Sequence, residues 1–212
     1  MTPTQGRDQA TRLAPINFPA ALAAAREVSA PWYACQALAW VARYAPETEL
    51  KCIAAEALEK AARAQDPYQR VGASAWPVRA LIEREQSDRV RSLLPVLLAE
   101  AGQIDNLASR SEALFLLFQA VFPMGQDVRE MMFQSLLAAA LPMRHWRQGR
   151  NLRYAVQMVA KHDMALARAI CNSLSESKIR EQLKRALERG DVLSPRPFFW
   201  SKTKSLDTAR EG

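Results

Sequence analysis

The chain has 212 residues, is 49% apolar and carries a formal net charge of +7, enough for one large domain or two small ones around a sizeable core. Its three cysteines, Cys35, Cys52 and Cys171, are too few and too widely spaced for a disulfide framework or a zinc knuckle. The best apolar run, residues 113–122, contains Gln119 and falls short of the roughly 20 residues of a membrane span.

Alanine and leucine are abundant, valine, isoleucine and threonine are sparse, and glycines number only 7. That balance predicts helix rather than strand. Residues 1–17 are polar and lack an apolar signal core, so they read as a flexible leader. The expected localisation is cytoplasmic. The first helix is expected from Phe18 to Ser29 and the second from Trp32 to Tyr44, with Pro31 at its start. The third covers Glu47 to Ala64. Asp66-Pro67 opens the fourth, since Asp caps and Pro suits the first helical position. It runs to Glu85 with Pro77 inside, which predicts a kink. The fifth, Ser87 to Ala101, holds Pro95 and stops at Gly102. The sixth, Asp105 to Phe122, is apolar on several faces and reads as buried. The seventh to tenth helices cover Asp127–Leu141, Trp146–Lys161, Met164–Leu174 and Glu176–Arg189. Gly190 ends the last, and residues 191–212 read as a basic, aromatic-containing tail.

One phrase is written twice. Pro31-Trp32-Tyr33-Ala34-Cys35-Gln36-Ala37-Leu38-Ala39-Trp40 is followed 36 residues later by Pro67-Tyr68-Gln69-Arg70-Val71-Gly72-Ala73-Ser74-Ala75-Trp76. A fixed period of this length is the mark of stacked helical hairpins. Trp40, Trp76, Phe115 and Tyr154 fall once per hairpin, at spacings of 36, 39 and 39, and read as core residues packing layer on layer. The expected fold is all-α: an α-α superhelix, or solenoid, of about five hairpins over residues 18–190.

The starts Asp88-Arg89-Val90-Arg91 and Asp127-Val128-Arg129, the internal prolines and the period resemble HEAT-type helical repeats. Ala57-Leu58-Glu59-Lys60-Ala61 followed by Asp66-Pro67 also resembles the end of a tetratricopeptide unit, although that family repeats every 34 residues. The resemblance implies a curved helical scaffold of the kind used to bind proteins or nucleic acids. It implies no functional residue.

No catalytic, metal or nucleotide motif is visible: there is no G-x-S-x-G and no Gly-rich phosphate loop. His145 and His162 belong to no i, i+4 ligand pair, and the cysteines read as buried small hydrophobes. No cofactor and no enzymatic activity are expected. Charge is the feature above background. Residues 1–141 carry 14 Lys and Arg against 15 Asp and Glu, whereas residues 142–212 carry 15 against 7. Within the eighth helix, Trp146, Arg150, Arg153, Gln157 and Lys161 form one stripe, with Arg147 beside it. It reads either as a solvated face or as a site for an anionic partner, since arginine forks suit phosphate and carboxylate. Phe198-Phe199-Trp200 reads as a cap folded onto the last hairpin, or as a short motif for another molecule. Three functions are open on these grounds. The foremost is a non-catalytic scaffold binding a protein partner. The alternative is a nucleic-acid binder using the basic C-terminal third. The third is an enzyme without a recognisable motif.

Overall fold

The computed structural model describes residues 2–142, 144–194 and 198–199, and within these residues the chain is wholly helical. Ten helices follow the punctuation of residues 18–190: α2 (Phe18–Arg26), α3 (Pro31–Ala42), α4 (Glu47–Ala62), α5 (Pro67–Glu83), α6 (Ser87–Gly102), α7 (Leu107–Val121), α8 (Gln126–Ala140), α9 (Trp146–Ala160), α10 (Met164–Ser173) and α11 (Lys178–Glu188). Each starts where the local chemistry allows. Asn17, Asp66, Asn106, Asp163 and Ser177 accept a backbone N–H from the first turn of the helix they precede, satisfying a donor with no partner inside the helix.

The expected flexible leader is not what the structure has there. Pro3–Leu13 form a further helix, α1. Thr2 and Gln5 make a reciprocal capping box. Its inward face is made of Gly6, Ala10 and, just past its end, Ala14. Small residues bury a helix closely but give no large apolar stripe, so a polar composition concealed a packed helix. Arg7 adds a hydrogen bond to Gln36 at 3.2 Å and lies over the Tyr33 ring at 5.5 Å.

Substantial packing joins only helices one or two apart in the chain. The odd-numbered helices form an unbroken row: α1 on α3, α3 on α5, α5 on α7, α7 on α9, α9 on α11. The even-numbered helices pack on their chain neighbours and not substantially on one another. Salt bridges do reach across the even side, from Arg26 to Glu56 and from Arg91 to Asp127. The Arg91 guanidinium holds the Asp127 carboxyl below its ordinary value. The core falls into two adjoining clusters. One, rich in alanine, is centred on α1–α4; the other, rich in leucine, phenylalanine and methionine, runs from α5 to α11. α5 contributes to both.

α5 runs through Pro77 and α6 through Pro95 without interruption. At position 77 the missing N–H would have bonded the carbonyl of Ala73. That carbonyl instead accepts from the Cys35 thiol of α3, at 3.3 Å. Burial pushes the Cys35 thiol well up, so it stays protonated and keeps its donor. Cys35 and Cys171 are buried as expected, whereas Cys52 is exposed.

Candidate functional site: the face of the odd-numbered helices

The repeated phrase places equivalent positions in contact. Trp32 opens α3 and Tyr68 opens α5, and their rings stack at 6.1 Å with 24° between planes. Trp32 also meets Trp76 edge-on at 5.7 Å. Gly72 lies directly beneath: a Cβ there would come within 2.9 Å of the Trp32 ring. Glycine is therefore what lets the indole lie flat on α5.

Trp40 and Trp76 were expected in the core. They are only half-buried and open onto this face, where Trp32 meets Trp76 and the C-terminal segment meets both. After α11, the Leu193 N–H donates to the Gln157 carbonyl of α9 at 3.1 Å, and Lys161 Nζ lies 3.0 Å from Ser194 Oγ. Phe198 then meets Trp76 edge-on at 5.1 Å, and Phe199 meets Trp40 at 5.2 Å. The described part of the segment therefore engages α9 through Leu193 and Ser194, and α5 and α3 through Phe198 and Phe199. It is not confined to the last hairpin. Arg43 sits over the Phe199 ring at 4.4 Å and over Trp40 at 5.0 Å. Glu83 holds Arg43 at 2.6 Å and Arg79 at 2.8 Å. The indole N–H of Trp40 is buried with no acceptor among the described residues. Trp200 lies outside the described residues.

The basic stripe divides on inspection. Trp146 is 65% exposed, with Arg147 and Arg150 over its ring at 5.8 and 5.0 Å. Arg147 is exposed and Lys161 is exposed. Arg150 is not a free surface cation: it is half-buried and ion-paired with Glu112 of α7. Asn151, fully buried, donates to Ser111 Oγ at 3.2 Å and to Glu112 at 3.3 Å, and accepts from Arg150 at 3.2 Å. A polar network therefore ties α7 to α9. Gln157 is buried as well. The stripe is thus not one solvent-facing line, because residues stepping 3–4 along α9 pass across the seam with α7. Tyr68 lies near this network. Its hydroxyl is raised above the ordinary phenol value, by burial first and by the Glu112 charge second.

Arg153 donates to Gln182 of α11 at 3.2 Å and covers Tyr154 at 5.3 Å. It lines an open cleft of about 590 Å³ between α9 and α11, with Lys178, Arg185, Arg189 and the single acid Asp191. Asp191 is engaged by Arg189 at 2.8 Å. The other sequence candidates have structural roles. His145 caps α9, its Nδ1 accepting the Arg147 N–H at 3.2 Å. His162 packs on Phe122 with ring centroids 5.1 Å apart. Phe115 is buried and Tyr154 half-buried, 6.2 Å apart. Among the described residues, no three His, Cys, Asp or Glu side chains are grouped as metal ligands. No described helix is long and apolar enough to cross a membrane.

Sequence reasoning found the aromatic positions but missed Glu112, Asn151, Glu83 and the seat of Phe198-Phe199. The acids gave no signal because their partners are distant in sequence: Glu112 is 38 residues from Arg150 and Glu83 is 40 from Arg43. Comparison with family models, curated proteins and solved structures returns no match to this chain.

Proposed function

We propose that the chain is a non-catalytic scaffold of stacked helical hairpins, HEAT-like in its pattern, that binds an extended segment of a protein partner across the odd-numbered helices. Those helices pack on one another in succession, whereas the even-numbered ones meet across ion pairs such as Arg26–Glu56 and Arg91–Asp127; this supports reading the odd row as the inner side of the stack. The observation that carries the reading is the C-terminal segment, which rests on this face through Trp76 and Trp40. A surface with half-buried aromatic rings, flanked by ion-paired arginines, suits a peptide rather than a small substrate. A photo-crosslinking amino acid at Arg79 on α5 tests it, with Val96 on α6, 66% exposed, as the control. Protein adducts should form at position 79 and not at 96. Adducts at both alike, or at 96 alone, would remove the odd row as the binding face.

A second reading, nucleic-acid binding through α9 and α11, draws on exposed Trp146 beside Arg147 and on the cleft holding Arg153, Lys178 and Arg185. Its signature is affinity that falls steeply as salt rises, through counterion release. Single-stranded oligonucleotides titrated at two salt concentrations separate the two readings.

A further inference from the structure

We infer that the groove between Trp76 and Trp40 is a receptor for a partner segment bearing two adjacent aromatic side chains, and that Phe198-Phe199 occupies it as a built-in competitor. The inference rests on the odd row being the partner-binding face. Two consecutive residues of the C-terminal segment each engage a different tryptophan, on two successive helices of the row. Their own rings are 6.1 Å apart. The seat is thus spaced for two neighbouring rings on a chain that bends at them.

The walls around it are held in place. Arg43 covers the Phe199 ring while its guanidinium is fixed by Glu83, which in turn holds Arg79. Stacking on a cation selects an aromatic side chain over an aliphatic one. The tail covers Trp40 with a phenylalanine ring, and among the described residues the buried indole N–H has no acceptor. A buried donor without an acceptor is unfavourable. A partner that brings an oxygen to that point as well as two rings gains a hydrogen bond that Phe198 and Phe199 do not supply.

The tail has the opposite advantage. It is tethered, and a short tether gives an effective concentration in about the millimolar range. Isolated weak segments are therefore excluded. A partner that also grips α7 and α9 displaces the tail. The device sets a threshold rather than an on–off lock.

The test uses the full chain and a labelled synthetic peptide of residues 192–202, followed by fluorescence anisotropy. The Phe198→Ala/Phe199→Ala protein should bind the peptide at least tenfold more tightly than wild type, because its groove is vacated. A peptide with both phenylalanines replaced by alanine should bind neither protein. Phe199→Ala alone is the milder variant, expected to gain less in the same direction. Equal affinity for wild type and double variant, or binding indifferent to the peptide's phenylalanines, overturns the proposal. Crosslinking at Arg79 separates it from the broader reading. Partner adducts that form equally in wild type and double variant overturn the competitor alone. Their absence from both overturns the binding face, and this inference with it.

Discussion

At the scale of single residues, the bond between Cys35 and Ala73 explains how a proline sits inside a packed helix. Pro77 frees one carbonyl, and a thiol 38 residues away in sequence takes it up. Cys35→Ala should therefore destabilise by about 1–3 kcal/mol, the cost of a buried acceptor left unpaired. In a Pro77→Ala background residue 77 regains its N–H, and the same change should cost less. Denaturant melts of the four proteins measure the coupling, and strict additivity would deny the thiol this role. The same burial has a pH consequence. The folded thiol is raised above its unfolded value, so its contribution is complete below the unfolded value. Above about pH 8.5 the unfolded chain loses the proton while the folded chain keeps it, and stability falls. The alanine variant should lose less stability over the same alkaline range. In native buffer a thiol reagent should modify exposed Cys52 first.

At the scale of elements, one arginine recurs at the fourth helical position and bonds back to carbonyls of the connection from the preceding helix. Arg70 of α5 donates to the Ala64 and Gln65 carbonyls, both at 3.2 Å. Arg110 of α7 donates to Ile104 and Gly102, both at 2.8 Å, and Arg129 of α8 to Met124 at 2.7 Å. Helix ends leave carbonyls unpaired, and a planar fork with several donors can take two at once. Arg110→Ala should cost about 1–3 kcal/mol, and Arg110→Lys should recover only part, since an ammonium lacks the fork. Full recovery by lysine in thermal melts would mean that charge, not geometry, closes the loop. The ten helices after residue 17 were legible because their punctuation is local: Pro31, Asp66-Pro67, Gly102 and Asp163 each act within a turn. The first helix was not, because its buried face is glycine and alanine. The arginine device was equally hidden, since Arg110 reads as one more surface charge until the carbonyls it meets are in view.

At the scale of the whole molecule, the Pro-aromatic phrase is written twice in the sequence, and Trp32 and Tyr68, its equivalent positions, stack on one another. What it could not announce is where Phe198 and Phe199 go, because a segment docking more than a hundred residues back leaves no periodicity. The half-buried state of Trp40 and Trp76 was equally out of reach, because helical spacing puts a ring on a face without showing what covers it. The stacked-repeat reading makes a thermodynamic prediction. If each helix packs substantially only on helices one or two away, damage at one end should stay there, as it does in arrays governed by neighbour contacts. Leu183 in α11 is fully buried, and Leu183→Ala should remove about 2–5 kcal/mol of local packing. Hydrogen exchange should then quicken in α9, α10 and α11 while α2 to α4 retain their protection. The tail departs from α11, so Phe198 and Phe199 should loosen as well, and the added exposure of Trp40 and Trp76 should appear as a red-shifted tryptophan emission. Uniform loss of protection from α1 to α11 would instead identify a single cooperative bundle and end the stacked-repeat reading, whatever the face of the odd helices binds.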